Sequence, residues 1–164
     1  MASEKSMDIV VEFDFQELKN AVNQVQKETI TRYDLKDAGI EIELTSESIK
    51  VLANSENQLE TVFQILVEKM TRRGLSYKIL SKKDPQQAGG MKFRQEIDLI
   101  KALNAEQAKE ISKKIREIDP KAKANIQGET VRVFSKSIDD LQFIISKLQA
   151  DEKLSLPLKF TNYR

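Results

Sequence analysis

Apolar residues recur at every second position near the start of the chain, and after Asp14 they recur at the spacing of a helix. In residues 7–13, apolar side chains alternate with Asp8 and Glu12, which predicts a strand with one buried face. Asp14 followed by Glu17 is typical of a capping box at a helix start, and an apolar stripe at helical spacing comes directly after it. A strand that leads into a capped helix is therefore the first motif of the chain.

The rest of the first half continues with alternating and helical segments. The predicted elements are strands at 40–44 and 49–53, a helix from Ser55 and Gln58 to Gly74, and a short strand at 75–79. Residues 80–90 contain Pro85 and two adjacent glycines, and they are predicted to form a linker.

The second half repeats this order of elements. Its predicted elements are a strand at 93–99, a helix capped by Asn104 and Gln107, strands at 122–126 and 131–134, a helix capped by Ser137, and a strand at 156–160. Both halves therefore predict the same succession of strands and helices.

The two halves also share residues. Ile49-Lys50-Val51-Leu52 is matched 82 positions later by Val131-Arg132-Val133-Phe134, and Ser55 is matched by Ser137 at the same offset. Each predicted strand is apolar on one side, so helices are expected on only one face of each sheet. The sequence therefore predicts an α+β fold, a tandem repeat of two ferredoxin-like βαββαβ units, which is also the arrangement of RNA-recognition modules.

The 164-residue chain contains no cysteine and no histidine. Disulfides, zinc sites built on Cys and His, haem ligation by His, and Ser-His-Asp or Cys-His catalysis are therefore excluded. Carboxylate-bound Mg²⁺ and Ser-Lys chemistry remain open, but we expect a protein that is not an enzyme and needs no metal or cofactor. Because no segment is typical of a membrane span or a secretory signal, we expect a cytoplasmic protein without a membrane partner.

Charge differs between the two halves. Residues 1–90 contain 12 basic and 15 acidic residues, whereas residues 91–164 contain 15 basic and 11 acidic residues. The excess of positive charge in the second half favours an anionic partner there. Ordinary variation in solvated surface charge is the alternative explanation.

Several stretches together resemble the YajQ family of small bacterial proteins. The matching stretches are Asp8-Ile9-Val10, Ile49-Lys50-Val51-Leu52-Ala53 with Ser55, Ile126-Gln127-Gly128-Glu129, Val131-Arg132-Val133, Lys136-Ser137-Ile138-Asp139-Asp140-Leu141-Gln142, and Pro157-Leu158-Lys159-Phe160-Thr161-Asn162-Tyr163-Arg164. Each stretch is generic by itself, whereas their order and spacing over nearly the whole chain make the resemblance specific.

The resemblance implies that the two units exchange their first strands. The first unit would then comprise residues 14–99, including the strand at 92–99, and the second unit residues 1–13 with 100–164. The resemblance also implies nucleotide binding, and some members of the family bind cyclic di-GMP as signalling effectors. It supplies no motif of catalytic residues for this chain.

The open face of the second sheet is the candidate binding surface. Alternation places Arg132 and Phe134 on the open side of their strand, with Lys123 on the neighbouring strand. The residues assigned to phosphate binding are Arg132, Lys136, Lys123, Arg94 and Arg164, and Phe134 is assigned to base stacking. A solvated sheet face with one isolated phenyl ring is the alternative.

Carboxylates make the other surfaces less suitable. In the first unit, Glu41 and Glu43 are expected to lie beside Lys50 on the open face. The open side of the strand at 7–13 contains Asp8 and Glu12, which would repel a phosphate backbone. The platform of standard RNA-recognition modules, with aromatic residues on both central strands, is therefore missing.

A basic stretch supports an alternative function. The six basic residues from position 69 to 83, with no acid among them, are Lys69, Arg72, Arg73, Lys78, Lys82 and Lys83. They favour an RNA-associated or protein-adaptor module, although such a cluster also complements a helix C-terminus and solubilises a linker. The expected partner remains a nucleotide or cyclic dinucleotide, with RNA or a protein as the alternative, and the expected state is a monomer.

The helix that follows Asn104 contains both lysines and glutamates on its exposed face. Lys109, Lys113 and Lys114 alternate there with Glu106, Glu110 and Glu117. This spacing predicts ion pairs between residues one helical turn apart.

Overall fold

The structure of the protein is a computed structural model, which describes residues 4–154 and 156–164. The described chain forms two compact units. The first unit is Phe13–Ile100, and the second consists of the described residues up to Glu12 together with Lys101–Arg164. Both units combine helices with an antiparallel sheet, so the predicted α+β fold is confirmed. None of the helices in these described ranges is long and apolar enough to cross a membrane.

The elements follow one another in nearly the predicted order. Up to residue 100 they are β1 (Lys5–Val11), α1 (Phe15–Thr31), β2 (Glu41–Leu44), β3 (Ser48–Ala53), α2 (Glu56–Arg72), β4 (Leu80–Lys82), β5 (Gln86–Ala88) and β6 (Lys92–Leu99). After residue 100 they are α3 (Ala105–Ile118), β7 (Lys123–Gln127), β8 (Thr130–Ser135), α4 (Ile138–Ala150) and β9 (Leu158–Thr161).

The sheet order shows an exchange of strands between the repeats. In the second unit the order is β7-β8-β1-β9, so β1 is a central strand although the whole first unit follows it in the chain. In the first unit the order is β2-β3-β6-β4, and β6 takes the corresponding central place. Both orders are those of a ferredoxin-like unit, with the first strand of each repeat in the other repeat's sheet.

The core of each unit lies between one face of its sheet and two helices. In the second unit Met7 and Ile9 of β1 are fully buried beside Val131 and Val133 of β8. Helix α3 adds its apolar stripe, which includes Ile111. The opposite face of the sheet has no helix against it in the described part of this unit, so its side chains are available for function.

Capping residues begin the helices where the sequence predicts. Asn104 and Gln107 form a complete capping box at α3, in which each side chain accepts from the other residue's main-chain N–H. Ser137 accepts from the N–H of Asp140 at α4, and Asp14 accepts from two N–H groups at α1. These caps satisfy N–H groups that have no partner within the helix.

The interpretation of residues 80–90 as a linker is wrong. Strand β4 pairs with β6 at residues 97–99, and β5 pairs with the same edge of β6 at residues 92–94. The two short strands form one edge that is interrupted next to Pro85, where the missing N–H of proline is tolerated. Three-residue strands are too short to show a period of two in sequence, which is why the pattern missed them.

Two strand boundaries also differ from the prediction. Residues 77–79 form a turn of 3₁₀ helix, and the strand that was expected at 75–79 begins only at Leu80. The last strand begins at Leu158, whereas Leu156 precedes it as a buried loop residue. In both places apolar residues fill the core without strand pairing, so burial alone produced the expected pattern.

Candidate functional site

One row of side chains crosses the open face of the second sheet around an aromatic ring. Lys123 lies opposite Phe134, and Phe134 lies opposite Ser6. Ser6 and Arg164 exchange two main-chain hydrogen bonds of 3.0 Å, which adds Arg164 to the same row. Since neighbouring strands are about 4.8 Å apart, the half-buried ring lies between a lysine one strand away and an arginine two strands away.

The adjacent row contains an ion pair at the centre of the face. Its members are Asn125, Arg132, Asp8 and Thr161 on four neighbouring strands. Arg132 donates from Nε to Oδ1 of Asp8 at 2.8 Å and from Nη2 to Oδ2 at 3.3 Å. This two-point contact fixes the plane of the guanidinium on the sheet.

A bulge in the last strand brings a second donor to Asp8. Asp8 lies opposite Thr161, whereas Ser6, two residues earlier, bonds to Arg164, three residues later, so one residue is inserted on that side. Asn162 adopts a φ of 53° at this insertion, a region that asparagine enters more readily than most residues. Its Nδ2 donates to Oδ2 of Asp8 at 2.9 Å.

These contacts hold both members of the pair in their charged forms. Asp8 is only 4% exposed, and the hydrogen bond from Arg132 lowers its pKa despite the opposing effect of burial. The hydrogen bond from Asn162 and the charge of Arg164 lower the pKa further, while Asp8 in turn raises the pKa of Arg132. Arg132 uses one edge for Asp8 and retains other N–H donors on a side chain that is 32% exposed.

The expected repulsion by Asp8 and Glu12 does not arise as predicted. Asp8 is paired with Arg132, and Glu12 is paired with Lys159 of β9. Both carboxylates on this side of β1 are therefore matched by a cation. The open side of β1 still presents Ser6, Asp8 and Val10, so the aromatic residue of a standard RNA platform is absent from this strand.

Two more of the predicted residues belong to this face. Lys123 lies 3.6 Å from Glu4, and because both side chains are more than half exposed this pair holds the lysine only weakly. Lys136 is exposed in the bend between β8 and α4, with no ion pair to any of the described residues. The structure therefore brings Arg132, Phe134, Lys123 and Arg164 onto one face, with Lys136 at the end of β8.

Arg94, in contrast, belongs to the sheet of the first unit. It lies in a groove of about 520 Å³ on the open face of that sheet, next to Lys50 and Lys83. Four carboxylates line the same groove, those of Glu41, Glu43, Asp84 and Glu96. Acids outnumber the cations here, so the groove is poorly suited to a phosphate, as the sequence predicted for this face.

The basic stretch from 69 to 83 is largely neutralised by neighbouring elements. Its ion pairs within 4 Å are Lys69 with Glu28, Arg72 with Glu68, Arg73 with Glu17, Lys82 with Glu60, and Lys83 with Glu96 and Asp98. Most of these pairs join α2 or β4 to other parts of the first unit. The stretch therefore contributes to packing of the first unit and leaves little unmatched charge for RNA.

The charge difference between the units is smaller than the sequence halves indicate. With the observed boundaries, the second unit contains 14 basic and 12 acidic residues, and the first contains 13 basic and 14 acidic residues. The exchange transfers β1, with acidic neighbours on both sides, to the more basic unit. Net charge per unit consequently says less about a partner than the local arrangement of charges does.

Comparison with known proteins shows which family this chain is similar to. The family model described as nucleotide-binding protein YajQ-like matches residues 5–164. The chain belongs to the YajQ family. Among its relatives in this family, a protein of Nostoc punctiforme is 49% identical over 164 residues, and one of Thermosynechococcus vestitus is 47% identical over 164 residues. A protein of Chloroflexus aurantiacus is 46% identical over 165 residues.

These YajQ relatives match along their whole length. All three alignments cover 100% of this chain and 100% of the relative. Each of the three relatives is named a nucleotide-binding protein. The resemblance that the sequence motifs indicated is therefore confirmed at the level of the family.

Sequence patterns missed two contributors to the site of this YajQ protein. In the sequence Asn162 belongs only to a stretch that resembles the family, and its approach to Asp8 depends on the inserted residue in the last strand. Alternation alone predicts Asp8 to be an unmatched acid, whereas the sheet order places it beside Arg132. The exchange of β1 was the one available signal for this contact, since it makes β1 and β8 neighbours.

Proposed function

We propose that this protein binds a nucleotide on the open face of the second sheet and does so without catalysing a reaction. The supporting observation is the guanidinium of Arg132, which Asp8 holds by two hydrogen bonds beside the ring of Phe134. An arginine that is already fixed in one plane loses little conformational entropy when it binds a phosphate. The names of the YajQ relatives support the same class of ligand.

Each part of the face has a separate task in this proposal. Arg132 donates to a phosphate from the N–H groups that Asp8 leaves free. Phe134 offers a surface on which a base stacks, and Asn125 lies next to Arg132 as an amide for hydrogen bonding. Lys123 and Arg164 lie on opposite sides of the ring and add positive charge, with Lys136 at the end of the strand.

The state of Asp8 supports binding without catalysis. A general base works best when its pKa lies near the operating pH, but the hydrogen bond from Arg132 lowers the pKa of Asp8 from an already low value. The carboxylate also accepts three side-chain hydrogen bonds, which leaves it little capacity to take a substrate proton. The absence of histidine and cysteine from the sequence removes the commonest alternatives.

We propose cyclic di-GMP as the finer identity of the ligand. This dinucleotide has two phosphates and two purine bases, and cations on both sides of a stacking residue match those groups. Lys123 and Arg164 flank Phe134 in this way, and Arg132 adds a third cation in the next row. A mononucleotide would use only one side of this arrangement.

Isothermal titration calorimetry tests the proposal. Cyclic di-GMP, GTP, ATP and AMP are titrated separately into the wild type and into Arg132→Lys, which keeps the charge but loses the two-point contact. We expect the variant to bind at least about tenfold more weakly, because a lysine ammonium cannot reproduce the planar pair. Phe134→Leu should weaken binding as well, since it removes the stacking ring but retains an apolar side chain.

Arg94→Lys is the matched control, because Arg94 lies on the corresponding face of the first unit. Its affinity should equal that of the wild type. If Arg94→Lys weakens binding while Arg132→Lys does not, the proposed face is wrong. If none of the four nucleotides gives heat with the wild type at micromolar protein, the nucleotide function is wrong.

A further inference from the structure

A second groove lies at the edge of the second sheet, between α3 and β7. It has a volume of about 660 Å³. The helix contributes Lys109, Ser112, Lys113 and Arg116, and the strand contributes residues 124–127. Three cations and no carboxylate line the groove, which distinguishes it from the mixed groove of the first unit.

The helix places these cations on one flank. At 100° per residue, Lys109, Lys113 and Arg116 fall within an arc of about 60° that faces β7. Glu106, Glu110 and Glu117 occupy the adjoining arc, turned towards solvent. Separation of the two signs on neighbouring arcs gives the groove a positive wall.

The ion pairs that the sequence predicts on α3 are not formed within the described residues. Lys109, Lys113 and Arg116 have no carboxylate within 4 Å in the parts of the chain that the structure describes. Lys114 points the other way and binds Asp151 at 2.6 Å. The prediction is wrong because packing against α4 and β7 decides where each side chain points. The three groove cations consequently remain available to an anionic partner.

The strand beside this wall has an unused main-chain edge. Strand β7 is the outermost strand of its sheet, and β8 is its partner on the other side. A two-residue loop joins them, and Gly128 has a φ of 61° at its first position, as a type II′ turn requires. In such a hairpin Gln127 bonds to Thr130, so alternation turns the N–H and C=O groups of Ala124 and Ile126 towards the free edge.

Two side chains of the groove lining are in unfavourable surroundings, one apolar and exposed, the other polar and buried. Ile126 is an apolar residue that is 44% exposed on β7. Ser112 is 95% buried, and its Oγ has no hydrogen-bond partner among the described residues, although a helix serine commonly bonds to the carbonyl one turn earlier. A buried hydroxyl without a partner is unfavourable, and this one lies beneath the lining of the groove.

We infer that the β7 edge binds an extended acidic segment of another protein, which adds to the sheet as a further strand under the positive flank of α3. Main-chain groups of Ala124 and Ile126 would pair with the incoming strand. Side chains on one face of that strand repeat every 6–7 Å or so, and Lys109 and Lys113 are separated by about 6 Å along the helix axis. Acidic residues at alternate positions of the segment therefore match successive cations.

The groove is a poorer match for the other anionic or extended partners. Its lining contains no aromatic ring on which a nucleotide base or single-stranded RNA would stack. A second copy of this chain pairing through the same edge would bring two rows of cations together. An acidic segment satisfies both the main-chain edge and the charge.

Fluorescence anisotropy with a short labelled peptide of alternating glutamate and valine tests the inference on the full chain. We expect binding that weakens as salt rises, and that falls about tenfold or more in the double variant Lys109→Glu with Lys113→Glu. The double variant Lys147→Glu with Lys153→Glu changes the net charge by the same amount outside the groove lining, so it is the matched control and should bind like the wild type. A peptide of the same sequence with every amide N-methylated should not bind, since it has no main-chain N–H to donate from either edge.

Amide hydrogen exchange followed by NMR separates strand addition from simple attraction of charge. In the free protein the amides of Ala124 and Ile126 should exchange fast, and saturating peptide should protect both. Ile126→Pro should keep the β7–β8 ladder, as checked by thermal unfolding, and abolish peptide binding because it removes one edge N–H.

Other outcomes would overturn the inference. If the N-methylated peptide binds as well as the parent and inorganic pyrophosphate displaces both, the groove is an anion pocket. If no peptide binds at low salt, the lysines only keep the edge from pairing.

Discussion

Asp8 and Arg132 are 124 positions apart in the chain, yet their side chains meet in a two-point hydrogen bond on one sheet face. The contact exists because β1 leaves its sequence neighbours and pairs with β8. It turns a carboxylate that would oppose an anionic ligand into a group that orients the cation for that ligand.

The first prediction separates orientation from net charge. Replacing Asp8 with asparagine removes a negative charge, and on net charge alone the variant should bind phosphate more tightly. If Asp8 orients Arg132, Asp8→Asn should instead weaken nucleotide binding by about tenfold, since the charge-assisted contact is lost. Calorimetry with the same four nucleotides shows whether the affinity of Asp8→Asn is higher or lower than that of the wild type.

Glu12→Gln is the control for that comparison. Glu12 follows β1 and is paired with Lys159, so its replacement removes one negative charge and leaves Arg132 in place. Its nucleotide affinity should be unchanged or slightly higher. Tighter binding by both variants would show that Asp8 acts only through its charge.

The second prediction concerns acid stability. The folded-state pKa of Asp8 is lowered from its usual 3.8, so its contribution to the free energy of unfolding is present above that value. The contribution is lost as the pH falls through the lowered pKa. The pKa of Asp151 is lowered too, by its bond from Lys114, so the wild type alone does not identify the group.

Urea unfolding of the wild type and Asp8→Asn at a series of pH values isolates the Asp8 contribution. The difference between the two free energies of unfolding should be constant above about pH 5 and should shrink below pH 3.8. A difference that stays constant down to pH 2 or so would contradict the lowered pKa.

The third prediction follows from the exchanged strands. Met7 of β1 is fully buried in the second unit, and Ile97 of β6 is 1% exposed in the first. Replacement of either by alanine should lower the free energy of unfolding of its own unit by about 3 kcal/mol. Hydrogen exchange read by mass spectrometry should show faster exchange in residues 101–164 for Met7→Ala and in residues 13–96 for Ile97→Ala. Equal loss of protection in both units for both variants would show that the units unfold together.

The fourth prediction tests the capping box of α3. Asn104→Ala removes the side-chain acceptor for the N–H of Gln107 and should lower the free energy of unfolding by about 1 kcal/mol. Asn104→Gly should cost only about a few tenths of that amount, because glycine leaves the helix end open to water. Urea unfolding curves of the two variants give the comparison, and equal losses would indicate that the cap has no specific role.

The fifth prediction concerns the basic stretch. Arg73 donates to Glu17 at 3.2 Å and to Gln24 at 3.3 Å, and it thereby joins α2 to α1. Arg73→Ala should therefore lower the melting temperature while leaving any affinity for a single-stranded RNA probe unchanged. A loss of RNA binding without a change in melting temperature would restore the RNA-associated function.

The sequence predicted the fold well because periodicity reports burial, and burial decides which face each strand and helix presents. The sequence motif that is repeated around Val51 and Val133 predicted the same elements in both units. Strand exchange was not accessible from periodicity, since β1 has the same pattern whichever sheet it joins; only the family resemblance indicated it. The short strands β4 and β5 escaped because pairing with β6, and not their composition, makes them strands.

For the site, alternation correctly assigned Arg132 and Phe134 to one face, but it gave no information about contacts between distant strands. The pairing of Asp8 with Arg132 depends on sheet order, and the approach of Asn162 depends on one inserted residue. The alternation of lysines and glutamates on α3 predicts ion pairs within the helix, whereas Lys114 instead pairs with Asp151, outside the helix. The ligand, the cytoplasmic location and the monomeric state remain predictions.

The exchange of β1 also has a consequence for biosynthesis. A ribosome makes Met7 and Ile9 early, but their partners on β8, Val133 and Val131, are made only after residue 130. During that interval the nascent chain contains an apolar strand that has no sheet to join. An exposed apolar strand can pair with the wrong partner, and it is a binding site for chaperones. If the second unit is to be expressed separately, residues 5–11 must be placed directly before Lys101, because β1 belongs to its sheet.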